Sequence, residues 1–158
     1  MGLSTQRVMF FTLLMLLVVL ATRVPVDTDT WWHLRSGEYT LTTGIIYADP
    51  FSFTKAGETW VNHSWGSQIV LYGVWELAGN AGLALYTTFL AVVGMMALYP
   101  ICAGNVYVRA FVVLIGAITA AVFWSARPQM FSFALSSIFL LILFQYKHGR
   151  KDRLWLIP

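Results

Sequence analysis

Four long apolar segments constrain this chain more than any other feature of its sequence. They run from about Val8 to Val26, from Leu83 to about Ala103, from Ala110 to Ala126, and from Met130 to Tyr146. A bilayer core about 30 Å thick is crossed by roughly 17–25 helical residues. Backbone amides must pair internally in lipid, which favours helices. The pattern predicts an all-α membrane protein with about four transmembrane helices.

The composition excludes several other classes of protein. Only 11% of the 158 residues are charged, whereas a soluble domain carries about a quarter, so a water-soluble globular protein is excluded. The single cysteine, Cys102, excludes a disulfide scaffold and a cysteine-rich metal site. No run of basic and aromatic residues suits nucleic acid, so we expect no nucleic-acid partner.

The first apolar segment can be interpreted as a signal peptide or as an uncleaved helix. Arg7 precedes it, but the run Ala21–Pro25 lacks a small-x-small cleavage site. We therefore expect residues 1–26 to form the first transmembrane helix and residues 83–146 to form helices two to four.

The basic residues predict the orientation, because Lys and Arg mark the cytoplasmic side. Arg7, Arg109 and the cluster Lys147–Arg153 share one side if both termini are cytoplasmic. Residues 27–82 are then extracytoplasmic. Residues 147–158 are a cytoplasmic basic segment followed by the start of a further hydrophobic segment, which suggests a truncated chain or a fragment.

The loop 27–82 holds most of the polar chemistry, including six of the seven acidic residues. It is too long for a simple connector, so we expect a folded insertion on the membrane face. Its predicted elements are a helix over 31–43 ended by Gly44, a short hairpin with strands over 51–54 and 59–62, and an amphipathic helix over 64–78 that breaks at 79–82.

Asp27 and Asp29 follow the first apolar segment directly. A carboxylate there can act as a general base, bind a divalent cation or hold a sugar hydroxyl. The alternative is helix capping on a solvated surface. His33 follows Asp29 at i+4, so one helical face can carry both, and His63 is a further candidate. Either histidine can instead be a hydrogen-bonded structural residue.

Trp31, Trp32 and Arg127 are candidates for substrate binding. Trp31 and Trp32 lie beside the acids and can stack on a sugar ring, or belong to the aromatic belt at a membrane interface. Arg127 joins the third and fourth spans. Its planar guanidinium suits a phosphate group, and its alternative is to reach lipid headgroups.

Four motifs occur in a fixed order, and together they resemble a family. They are Asp27-Thr28-Asp29-Thr30-Trp31-Trp32-His33-Leu34, Asp49-Pro50-Phe51-Ser52-Phe53-Thr54, Trp60-Val61-Asn62-His63-Ser64-Trp65 and Arg127-Pro128-Gln129. Most of residues 20–135 resemble a group of bacterial multi-pass proteins. That group is similar in layout to the GT-C glycosyltransferases, which include oligosaccharyltransferases, protein O-mannosyltransferases and aminoarabinose transferases.

The resemblance implies a glycosyltransferase of the bacterial inner membrane, transferring a hexose or pentose from a polyprenyl-phosphate lipid to an unknown acceptor. It implies that Asp29 or Asp27 is the base, acting directly or with a divalent metal such as Mg²⁺ or Mn²⁺. It also implies that Arg127 binds the lipid phosphate, beside Trp31, Trp32, His33 and His63 as further substrate-binding candidates. Family members are much longer, so this chain would be the N-terminal part of the enzyme.

Two other functions compete with the glycosyltransferase. In a non-catalytic assembly or scaffold protein, the aromatic loop would anchor a partner and the aspartates would be caps. A carrier for a lipid or small solute is a third hypothesis. It has little support, because ion-coupled transporters usually bury acids or histidines within the membrane and these four segments carry neither.

Overall fold

The computed structural model describes residues 4–24, 27–149 and 153–157, and these residues are mainly helical. The helices are α1 (Thr5–Ala21), α2 (Thr28–Thr43), α3 (Trp65–Leu98), α4 (Val106–Ala120) and α5 (Gln129–Lys147), with 3-10 turns at Ala121–Phe123 and Leu154–Leu156. The chain forms two compact units. The bundle unit comprises 1–23, 87–124 and 129–158, and the insertion unit comprises 24–86 and 125–128.

Within the described part of the chain, three helical segments are long and apolar enough to cross a membrane: Trp65–Leu98, Val106–Phe123 and Gln129–Lys147. The prediction of membrane helices is confirmed to this extent. The apolar helix α1 has 17 residues, which is at the lower limit for a span. It ends at Ala21, and positions 25–26 of the predicted first span lie outside the described residues.

The bundle unit is organised by α1 packing on α4. The buried residues recur at helical spacing and are Leu13, Leu17 and Ala21 on α1 and Ala110, Val113 and Ala117 on α4. Beyond the end of α1, the Arg23 Nη1 donates to the carbonyl of Ala121 at 3.0 Å. Because α1 and α4 meet at their carboxyl ends, they run in the same direction, and a cation there complements both helix dipoles.

Helix α5 packs closely on α3 at Gly94. A Cβ placed at Gly94 would lie 2.4 Å from the ring of Phe133, so the missing side chain allows the close approach. After α5, the predicted basic segment is described only in part, because Arg150 and Lys151 lie outside the described residues.

In the insertion unit, α2 starts three residues before the predicted helix. Asp27 is the N-cap, and its side chain accepts a hydrogen bond from the amide of Asp29. That cap lets the helix begin at Thr28 rather than at Trp31. The helix ends where it was predicted to end, because Gly44 adopts a φ of 113°, which other residues rarely adopt.

The predicted strands over 51–54 and 59–62 are wrong. Among the described residues, the pairing is one antiparallel bridge between Ala48 and Thr59. The Asp49 carboxylate accepts hydrogen bonds from the amides of Phe51 and Ser52, at 2.9 and 3.0 Å. These bonds turn the chain at once, so the segment 51–54 becomes part of the loop.

The predicted break between the amphipathic helix and the second span is present, because α3 consists of two helical segments that meet at a kink. The helix bends at Gly79, where φ is 54° and ψ is −140°. These angles are not helical, so the glycine interrupts the helix as predicted, and a second helical segment runs on to Leu98. The division between the two units falls within α3, after Tyr86.

Candidate functional site

Three residues from separate motifs meet in the insertion unit and form an Asp–Arg cluster: Asp27, Asp29 and Arg127. The Arg127 Nη2 lies 3.0 Å from the Asp29 Oδ2, and the same nitrogen donates to the Asp27 Oδ1. The side chains of Asp27 and Arg127 are 22% and 29% exposed, whereas that of Asp29 is 55% exposed. Asp27 is therefore the more buried aspartate of the cluster, and Asp29 is the one that solvent can reach.

Asp27 is held by several donors at once. Its carboxylate accepts hydrogen bonds from Arg127 and from the amide of Asp29, the latter at 3.0 Å. The hydrogen bond from Arg127, followed by that from the Asp29 amide, holds the pKa of Asp27 below its usual value. The capping interpretation is correct for Asp27, and an ionised, tightly bonded carboxylate is a weak proton acceptor.

Asp29 is the more available carboxylate. It lies in the first turn of α2, where the helix dipole favours a negative charge. Its Oδ2 faces Arg127, and most of its side chain is open to solvent. Of the two aspartates, Asp29 is therefore the one that a ligand can reach.

Arg127 is fixed by its own backbone as well as by the acids. The Tyr86 hydroxyl donates to the Arg127 carbonyl at 3.1 Å, and the hydrogen bond to Asp27 raises the pKa of the guanidinium. The Arg127 Nε and the hydroxyl of the fully buried Thr30 are both without a partner among the described residues. Unpaired buried polar atoms usually have water or a ligand as a partner.

A hydrogen-bonded chain of three side chains lies beside the cluster. The Asn62 Nδ2 donates to the Gln68 Oε1 at 2.8 Å, and the Gln68 Nε2 lies 3.1 Å from the His33 Nδ1. Because the Gln68 nitrogen can only donate, the His33 Nδ1 accepts. Burial, and then the charge of Arg127, lower the pKa of His33, so His33 is neutral near pH 7.

The structure gives the two candidate tryptophans, Trp31 and Trp32, different surroundings. The rings of Trp32 and Trp60 stack with centroids 4.9 Å apart, and Phe51 meets both of them edge-on. Trp32 therefore packs in this aromatic cluster, and because it is still 38% exposed its role as a sugar platform stays a prediction. Trp31 is 50% exposed, and its role as a sugar platform stays a prediction.

The histidines also differ in their placement. His33 lies within electrostatic reach of all three members of the Asp–Arg cluster, as its spacing from Asp29 indicated. His63 is exposed, and among the described residues its side chain makes no contact with the cluster.

Sequence reasoning missed Gln68, Asn62 and Ser125 as parts of this site. Gln68 is 2% exposed and precedes the apolar run 69–71. A polar residue on the buried face of an amphipathic helix was thus the available signal. Ser125 lies close enough to the Asp27 carboxylate to help lower its pKa, and nothing in the local sequence of Ser125 indicates that proximity.

The two aspartates are complemented by a guanidinium as they are arranged here. Among residues 4–24, 27–149 and 153–157, no group of three or more His, Cys, Asp or Glu side chains is placed to hold a metal ion. This donor set suits Arg127 better than a divalent cation, which prefers six or more oxygen ligands. The metal-ligand role of Asp27 and Asp29 stays a prediction, and the chemistry proposed below uses no metal.

The insertion unit thus combines an accessible carboxylate, a cation that already binds acidic oxygens, and a neutral imidazole. Such a set can accept a proton from a hydroxyl and stabilise an anionic leaving group. Comparison of the chain with protein-family models, with curated proteins and with solved structures gave no match.

Proposed function

We propose that this chain forms the N-terminal part of an integral membrane glycosyltransferase that uses a polyprenyl-phosphate-linked sugar. The observation that supports it is the position of Arg127, whose Nη2 lies 3.0 Å from the accessible carboxylate of Asp29. Transfer of the sugar needs a base for the acceptor hydroxyl and a positive charge for the departing phosphate. Asp29 and Arg127 supply these two groups side by side.

In the proposed reaction, Asp29 takes the proton from the acceptor hydroxyl as its oxygen attacks the anomeric carbon. The bond between that carbon and the phosphate oxygen breaks, and the electron pair leaves with the polyprenyl phosphate. Arg127 stabilises the charge that builds on the phosphate. Asp27 is a positioning residue, because it fixes Arg127 and the amide of Asp29 together.

We also propose that α1 is a fourth span, that both termini are cytoplasmic, and that the insertion unit is extracytoplasmic in a bacterial inner membrane. One feature of the bundle unit supports this arrangement. The amino ends of α1 and α4 border one cavity, so Arg7 and Arg109 lie towards the same side. Basic residues gathered on one side are typical of the cytoplasmic face.

The test measures sugar transfer by the protein expressed from its full reading frame in native membranes. The donors are undecaprenyl-phosphate glucose, mannose and arabinose, each radiolabelled in the sugar. Because a general base contributes about 10²–10⁴-fold, we expect Asp29→Asn to lose at least about 100-fold in donor consumption with normal membrane insertion. Glu38→Gln, which changes a partly exposed carboxylate of the same helix, is the matched control and should keep activity.

A second readout addresses the phosphate. Undecaprenyl phosphate should bind the wild-type protein more tightly than it binds the Arg127→Gln variant. Wild-type turnover in Asp29→Asn would contradict the proposed role of this carboxylate. Equal binding of undecaprenyl phosphate to the wild-type protein and to Arg127→Gln would contradict the role of the arginine.

A non-catalytic scaffold is the second candidate, and one observation favours it. Asp27 is a cap and Arg127 pairs with both acids, which is sufficient for a purely structural role. The loop also exposes apolar side chains, with Phe53 fully exposed and Val61 at 75%, which suit contact with a partner. In a scaffold, Asp29→Asn would reduce partner capture only as far as it lowers the melting temperature.

A further inference from the structure

We propose that the bundle unit has a separate site for an anionic phospholipid, between the amino ends of α1 and α4. A cavity of about 640 Å³ lies there, and its polar lining includes Thr5, Gln6, Tyr99, Asn105 and Arg109. The cavity lies at the amino end of α1, whereas the Asp–Arg cluster begins after the carboxyl end of α1 in the sequence. The proposal is therefore independent of the proposed glycosyltransferase function.

The charge of the cavity is positive, and its described lining residues include no acid. Arg109 is the charged residue among its lining residues, and its Nε donates to the Gly104 carbonyl at 2.8 Å. The terminal nitrogens of Arg109 have no hydrogen-bond partner within the described ranges. Neither α1 nor α4 has an acid in its first turn, so the positive helix ends add to the charge of Arg109. Phosphate oxygens would complement this arrangement.

An apolar groove continues from the polar cavity along the seam between α1 and α4. It has a volume of about 380 Å³, and its lining includes Leu13, Leu16, Phe111 and Leu114. Tyr107 borders both the polar cavity and this groove. The two features together match one molecule with an anionic head and an apolar tail.

A second, shallow apolar groove extends the same surface and is lined by α1 alone. It has a volume of about 410 Å³ and shares Thr12 and Leu16 with the first groove. A free anion would use the polar cavity and leave both grooves without a ligand. The continuity of cavity and grooves therefore favours a phospholipid of the leaflet at the amino end of α1.

The test uses the full chain, purified in detergent, with lipids counted by native mass spectrometry. The probes are phosphatidylglycerol and phosphatidylcholine with the same acyl chains. One basic side chain near a membrane surface strengthens the binding of anionic lipid by about fivefold, so we expect at least this preference for phosphatidylglycerol. Arg109→Gln should remove the preference. Arg7→Gln, one turn into α1 but outside the cavity lining, is the matched control and should keep it.

A second variant tests the groove without changing Arg109. Thr12 is exposed and lines both apolar grooves, so Thr12→Trp should fill them and weaken the binding of both lipids. Equal binding of the two lipids to the wild-type protein would overturn the proposal, and so would an equal loss in Arg7→Gln and Arg109→Gln. If inorganic phosphate raises the melting temperature as much as phosphatidylglycerol does and Thr12→Trp changes nothing, the site takes a free anion and the lipid assignment is wrong.

Discussion

Arg127 donates a hydrogen bond to Asp27, which lies 100 residues earlier in the chain. The contact fastens the short segment between α4 and α5 to the N-cap of α2. The same nitrogen lies 3.0 Å from Asp29. A candidate phosphate ligand and two candidate bases, which the sequence places far apart, are therefore members of one ion cluster.

Two substitutions of Asp27 should separate its capping role from its ion pair. Asp27→Asn keeps a side-chain oxygen that can accept from the amide of Asp29, whereas Asp27→Ala loses it. We expect Asp27→Ala to be less stable than Asp27→Asn by about 0.5–2 kcal/mol, the usual value of an N-cap. Tryptophan fluorescence during unfolding measures it, since five of the seven tryptophans belong to the insertion unit. Equal stability of the two variants would show that the cap contributes nothing.

Removal of Arg127 should lower the free energy of unfolding more than removal of an exposed ion pair in the same unit. Arg127→Gln leaves two carboxylates without their cation, and we expect a loss of roughly 1–2 kcal/mol, between the values for exposed and buried pairs. Arg35→Gln is the control, because the Arg35 and Glu38 side chains are 61% and 38% exposed. It should cost less than about 1 kcal/mol. Similar melting temperatures for the two variants would contradict the prediction.

The lowered pKa of His33 should make the insertion unit sensitive to mild acid. The neutral form is favoured in the folded state, so the unfolded chain binds a proton first, near the usual pKa of 6.5. Stability is therefore complete above about pH 6.5 and falls as the pH drops from there through the lowered pKa of the folded state. Melting temperatures between pH 8 and 5 should show this decline.

Two variants test the assignment of this pH dependence. His33→Gln should flatten the decline, because its amide oxygen can still accept from Gln68 but does not titrate. His63→Gln changes an exposed histidine and should keep the decline. A wild-type slope in His33→Gln would place the titrating group elsewhere.

The contact between α2 and α3 depends on the absence of a side chain at Gly37. A Cβ there would lie 2.2 Å from the Gln68 carbonyl oxygen and 2.9 Å from the Tyr72 Cβ. Because the nearest atom belongs to the backbone, it cannot move aside without distorting α3. Gly37→Ala should therefore destabilise the protein by more than about 2 kcal/mol. Gly73→Ala, which meets nothing within 4 Å, should stabilise α3 by about 0.5–1 kcal/mol. An unchanged melting temperature in Gly37→Ala would refute this close approach.

The helices could be predicted from the sequence because their causes are local. Apolar runs and the glycine at position 44 indicate the spans and the end of α2 without knowledge of distant residues. The strands were mispredicted for a local reason too. Alternation over 51–54 favoured a strand, while the Asx turn formed by Asp49 with the two following amides determined the structure.

The site could be predicted only in part, because its contacts are long-range. The pattern of residues around Asp29 indicated a polar site, and the i+4 spacing placed His33 on the same helix. The pairing of Arg127 with both acids depends on how the segment after α4 folds onto α2, which no local pattern specifies. The hydrogen bond between Gln68 and His33 likewise joins two parts of the sequence that lie 35 residues apart.

The side-chain amides of Asn62 and Gln68 determine which ring nitrogen of His33 carries the proton. With the Nδ1 of His33 occupied by the Gln68 amide, the neutral ring keeps its proton on Nε2. The Nε2 edge of the ring then offers a proton to an oxygen and has no lone pair for a cation. A glutamine that touches no ligand would in this way select electron-rich ligands, such as hydroxyls and phosphates, at the far side of the histidine.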